Sequence, residues 1–149
     1  MPEKKVQERA QEDARQGKSP STQAGEFVHE EIEHVKQGKH GARSTKQAIA
    51  IGLSKARRAG VKLPPPKGGT EKTRTQARRD SKKGRTGADH EPSPVRSRAS
   101  EKALQREGQA AASHRALSRQ ARSSAQKRSP ASRSKAAKKG ARTRAAQKG

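Results

Sequence analysis

The chain has 149 residues, of which 37 are Lys or Arg and 14 are Asp or Glu, giving a formal net charge of +23; 26% are apolar, Phe27 is the one aromatic, and there is no cysteine. This composition excludes a large apolar core, disulfides and cysteine-ligated metals, and it predicts extensive disorder. A field of this sign attracts polyanions such as DNA, RNA or acidic membrane surfaces. Residues 1–18 read as a charged N-terminal helix or arm, in which Val6, Ala10 and Ala14 recur every four residues before Gly17. So little apolar surface predicts a fluctuating, solvated helix. The segment has no apolar run of the signal-peptide kind, and no window is long and apolar enough to span a membrane, so a soluble, cytoplasmic protein is expected.

Residues 19–66 read as a helical hairpin. Ser19-Pro20 supplies an N-cap and a proline at the first helical position. Ala24, Phe27, Val28, Ile32 and Val35 then mark one face of a helix over Pro20–Gln37, and Gly38 stops it. The short connection Gly38–Ser44 favours an antiparallel neighbour. That neighbour is a second helix, Thr45–Ala59. Ser44 and Gln47 have capping-box spacing, and Ala48, Ile49, Gly52, Leu53 and Ala56 form its apolar stripe. Lys55, Arg57 and Arg58 crowd the last turn, where the helix dipole favours cations. Gly60 suits a left-handed residue just past the helix, and Pro64, Pro65 and Pro66 forbid continuation. The apolar side chains of this unit fall short of the entropy cost of ordering it. The hairpin is therefore expected to form a homodimer through the Ile49/Leu53 stripe, to fold on a partner, or to stay partly molten.

From Lys67 the composition turns to Gly, Pro, Ser, Thr and charge, and 67–98 reads as a flexible linker. Residues 99–149 read as an Ala/Lys/Arg-rich basic tail with short helices at Ser100–Glu107 and Ser113–Lys127. The expected fold class is thus mostly α with extensive disorder: a small helical hairpin plus a basic low-complexity tail.

The histidines invite a metal or catalytic reading. His29-Glu30-Glu31-Ile32-Glu33 lacks the second histidine of a zincin motif, and His29 and His34, five apart, splay around a helix. Gly68-Gly69 lacks the Lys-Ser/Thr of a phosphate loop. No enzyme, no catalytic residue, no cofactor and no metal site is expected.

Charge is polarised along the chain. Residues 1–37 carry eight acidic and six basic side chains, whereas Glu107 is the last acid and twelve Lys/Arg come after it. Such a run gains from counterion release on a phosphate backbone. The near absence of aromatics argues against base stacking. The partner expected is nucleic acid, duplex DNA in the leading reading. The candidate phosphate contacts are Arg43, Lys46, Lys55, Arg57, Arg58, Lys62, Arg133, Lys135, Lys138, Lys139, Arg142 and Arg144.

Two stretches resemble known families. The segment Phe27–Lys67, with Lys-Gln-Ala-Ile-Ala-Ile at Lys46–Ile51 and Ala-Arg-Arg-Ala-Gly at Ala56–Gly60, resembles a family of small basic bacterial proteins classed as a domain of unknown function. That resemblance implies bacterial origin and no particular activity. The tail Ser129–Gly149 is similar in composition to the arms of histone H1-like bacterial proteins. The leading reading is a sequence-tolerant, nucleoid-associated DNA-binding protein acting by phosphate neutralisation. RNA or ribosome association, and a helical protein-interaction module, are the alternatives.

Overall fold

In the computed structural model, which describes residues 3–87 and 93–148, the chain divides into two units, Met1–Ser113 and His114–Gly149. Residues 1, 2, 88–92 and 149, parts of the expected arm, linker and tail, lie outside the described residues. The first unit holds α1 (Lys4–Arg15), α2 (Pro20–Lys36), α3 (Thr45–Arg58), α4 (Glu71–Thr86), α5 (Pro94–Gln105) and a 3-10 turn, Ala110–Ala112; the second holds α6 (His114–Gln126) and α7 (Pro130–Gln147). Extensive disorder is therefore overturned, and with it the description of the chain as intrinsically disordered.

Local chemistry explains where the helices begin. The hydroxyls of Ser19, Ser44, Thr70 and Ser129 accept from the amides of Thr22, Gln47, Thr73 and Ser132, capping α2, α3, α4 and α7. At α3 the Gln47 side chain also reaches back, but it accepts from the amide of Arg43, one residue before the cap, at 2.7 Å. The end of α3 is a Schellman turn. Val61 N–H donates to Ala56 O at 3.0 Å, Gly60 N–H donates to Arg57 O at 3.1 Å, and Gly60 has φ 101°.

Packing in the first unit runs α1 on α2, α2 on α3 and α3 on α4. The core joins Val6, Ala10, Ala24, Phe27, Ala56 and Val61, with Leu53 and Leu63 against it. This corrects the solvated reading of the N-terminal arm: Val6 and Ala10 are buried in one cluster with Phe27, and Arg9 and Glu26 form an ion pair between the same two helices at 2.8 Å. The buried line of α3 is also rotated from the expected stripe. Thr45, Ala48, Gly52 and Ala56 are buried, whereas Ile49 and Leu53 are half-buried. Gly52 sets that rotation, since a Cβ there would stand 2.6 Å from the Cα of Val28. A glycine lets the two backbones approach.

The flexible linker is corrected too. α4 docks on α3 through Ala77 and Asp80, both buried. Asp80 accepts from Ser54 Oγ at 2.7 Å, Arg58 Nε at 2.8 Å and Gln76 Nε2 at 3.1 Å. These contacts are polar or small, so they leave no apolar periodicity in the sequence. The loop after α2 is tied to the C-terminal end of α5 and the segment beyond it. Gly41 N–H donates to Leu104 O, Ala42 N–H donates to Gly108 O, and Thr45 Oγ1 donates to Ala111 O at 2.6 Å. In the second unit, alanine content and the Ser129-Pro130 start explain why the expected tail is helical as α7.

Candidate nucleic-acid interface

The second unit contains no Asp or Glu side chain, and all twelve of its Lys and Arg residues are exposed. On α7, Lys135, Lys138, Lys139 and Arg142 fall at i, i+3, i+4 and i+7, on one face. Arg133 and Arg144, eleven residues apart, share the other side. α7 buries no residue, so both faces stay available. On α6, Arg115, Arg119 and Arg122 fall at i, i+4 and i+7 and make an arginine stripe absent from the residues expected to contact phosphate. The signal was present in the sequence: the spacing is helical, and half-buried Ala116, Leu117 and Gln120 occupy other positions of the helix.

The candidate cations of the first unit are divided. Arg43, Lys46 and Lys62 are exposed. Lys55 donates to the buried carboxylate of Glu31. Arg57 is 7% exposed and donates from Nη2 to Pro64 O at 3.0 Å and from Nε to Leu63 O at 3.4 Å. Burial pushes its guanidinium below the ordinary arginine pKa. Arg58 is half-exposed and pairs with Asp80 at 2.8 Å. Three of the residues expected to face phosphate thus hold the fold together.

A second cluster lies inside the first unit. Glu31, with its side chain 1% exposed, is surrounded by Lys55, His34 and His40. Glu30, also buried, accepts from the backbone N–H of Glu3 at 2.6 Å, which places a carboxylate at the N-terminal turn of α1. Lys39, and then His34, hold the Glu3 carboxyl below its ordinary pKa. Sequence spacing draws attention to His29 with His34. It gives no sign of His40, which the turn after α2 brings back to Glu31 at 3.1 Å. His29 instead lies exposed beside Glu33.

Residues 15–67 match a family described as "Family of unknown function (DUF6496)". The match begins before the Phe27–Lys67 segment that carries the resemblance in sequence. It takes in α2, α3 and the proline turn, including Glu31, His34, His40, Lys55 and Arg57, and it ends before α4 and the whole second unit. Comparison with curated proteins and with solved structures gave no match. No helix among the described residues is long and apolar enough to cross a membrane.

Proposed function

We propose that this chain is a non-enzymatic, sequence-tolerant DNA-binding protein of the bacterial nucleoid that acts by neutralising phosphates. The observation that carries the reading is the acid-free second unit, with twelve exposed cations on and beside two helices. Along α6, Arg115, Arg119 and Arg122 are separated by about 6 and 4.5 Å of helix axis, so one face presents a row of cations to a duplex that carries one charge per roughly 3.4 Å of its axis on each strand. Contacts of this kind position a protein without specifying a sequence. With no aromatic in this unit, the reading assigns no base stacking. Leu53 already packs against its own core, so the binding species is taken as one chain rather than a dimer through Ile49 and Leu53.

Fluorescence anisotropy of the full chain on duplexes of unrelated sequence, across a salt series, tests the proposal. If about six to ten cations reach phosphate, log Kd against log salt is expected to have a slope of magnitude about 5 to 9, with the sequences superimposed. A salt-insensitive affinity, or strong preference for one duplex, overturns it. Much tighter binding to structured RNA at equal salt replaces DNA by the RNA-associated reading.

A further inference from the structure

Glu30 and Glu31 are adjacent on α2, both are buried, and each has an Oε2 without a hydrogen-bond partner. A buried carboxylate oxygen left unmet is costly, so these atoms call for an explanation. Glu30 Oε1 is met by the amide of Glu3, and Glu31 Oε1 by the ammonium of Lys55.

Two imidazoles approach Glu31, His40 at the unmet Oε2 and His34 at Oε1. His34 follows it by three residues, so both side chains rise from one face of α2. The left-handed turn at Gly38 (φ 73°) reverses the chain and returns His40 to that face. His34 Nδ1 lies 3.6 Å from Glu31 Oε1, and His40 Nε2 lies 3.1 Å from Glu31 Oε2. The rings meet edge to face with centroids 5.8 Å apart. One donor atom from each of the three residues can be chosen so that all lie within 4.8 Å of one another.

The tautomer of His40 makes the arrangement specific. Its Nδ1 lies 2.9 Å from the carbonyl oxygen of Gly41, which can only accept, so Nδ1 carries the proton. In the neutral ring, Nε2 then presents a lone pair to Glu31 Oε2 at 3.1 Å. That contact is favourable with a cation between the two atoms, either a proton on Nε2 or a metal ion that takes both lone pairs. Donors about 2.0–2.1 Å from one zinc ion and separated by this distance subtend about 100° at it, close to a tetrahedral angle.

We propose that Glu31, His34 and His40 form a binding site for a divalent transition-metal ion of the zinc class. Two imidazoles and one carboxylate suit such an ion, whereas magnesium and calcium take oxygen ligands. The Nδ1–H of His40 on a backbone carbonyl is the kind of outer partner that fixes a ligating histidine. The ion links α2 to the connection leading into α3, so its binding energy is folding energy.

The untagged full-length protein, stripped with a chelator, is titrated with Zn2+. One equivalent per chain is expected, with a rise in Tm of about 5 °C at saturation. In 1H–15N spectra the ring nitrogens of His34 and His40 are expected to shift while those of His29 and His114 stay in place. His40→Gln is expected to weaken affinity at least about tenfold, and His29→Gln to leave it unchanged. Mg2+ at the same concentration is expected to have no effect. Absence of saturable binding, ring shifts at His29 or His114 in place of His34 and His40, or wild-type affinity in a folded His40→Gln protein overturns the site. The ring shifts are read on the wild-type chain, so they decide the matter even where a variant does not fold.

Discussion

Arg57 fastens the proline turn to the end of α3. Its guanidinium reaches the carbonyls of Leu63 and Pro64, both past the end of the helix. A planar fork can serve two carbonyls at once, which a lysine ammonium on a flexible stem does poorly. Arg57→Ala is therefore expected to cost about 2–3 kcal/mol of stability, and Arg57→Lys to recover only part of that. Urea unfolding of both variants measures it. The readout also separates two roles, because a phosphate ligand would lose DNA affinity while keeping its stability. If Arg57→Ala melts like the wild type yet binds DNA more weakly, the structural role assigned to Arg57 is wrong.

At the scale of elements, α4 shows how a helix can dock with almost no apolar surface. Its anchor is Asp80, which is 1% exposed and accepts from Ser54, Arg58 and Gln76. Removing the carboxylate leaves Ser54 without its acceptor and Arg58 without its ion-pair partner. Asp80→Ala is expected to release α4 and to cost about 2–3 kcal/mol. Hydrogen exchange reads this directly: amides of Glu71–Thr86 lose protection while those of α2 keep theirs. Equal protection in α4 before and after the substitution would contradict the anchor.

The same helix marks the boundary of what the sequence could reveal. α2 and α3 were legible because Ser19-Pro20, Ser44 with Gln47, Gly38 and Gly60 are cap and stop signals that act within a few residues. The docking of α1 and α4 depends on Val6, Ala10, Ala77 and Asp80 finding partners on other helices. Val6 and Ala10 recur at four-residue spacing but offer little apolar area, and Ala77 and Asp80 carry no apolar period, so a count of large hydrophobics undervalued both helices. The candidate phosphate contacts on α7 could be chosen from charge alone. That Lys55, Arg57 and Arg58 are engaged within the fold depends on Glu31, Asp80 and the proline turn, which only folding brings together. His40 was hidden for the same reason, as its partner Glu31 lies across a chain reversal.

For the whole molecule, charge and structure divide at the same place. All fourteen acidic residues precede residue 108, so the first unit holds them all, and the second holds twelve of the thirty-seven cations. The acids offset more than half of the first unit's remaining cations, several of them in ion pairs such as Arg9–Glu26, Lys18–Asp13 and Arg58–Asp80. The first unit has its own core, Val6 to Val61, built without any residue of the second. A chain ending at Ser113 is therefore expected to keep the cooperative thermal transition of the first unit. On duplex DNA its salt slope is expected to fall to less than half that of the full chain, because the freed counterions scale with the cations that reach phosphate. The loss is expected to be uniform across duplex sequences, since no base readout goes with it. Calorimetry and anisotropy on one preparation test both halves of this prediction. A truncated chain that binds DNA with an unchanged salt slope would move the interface onto the first unit, to Arg43, Lys46 and Lys62. A truncated chain without a thermal transition would show that the second unit is needed for the fold of the first.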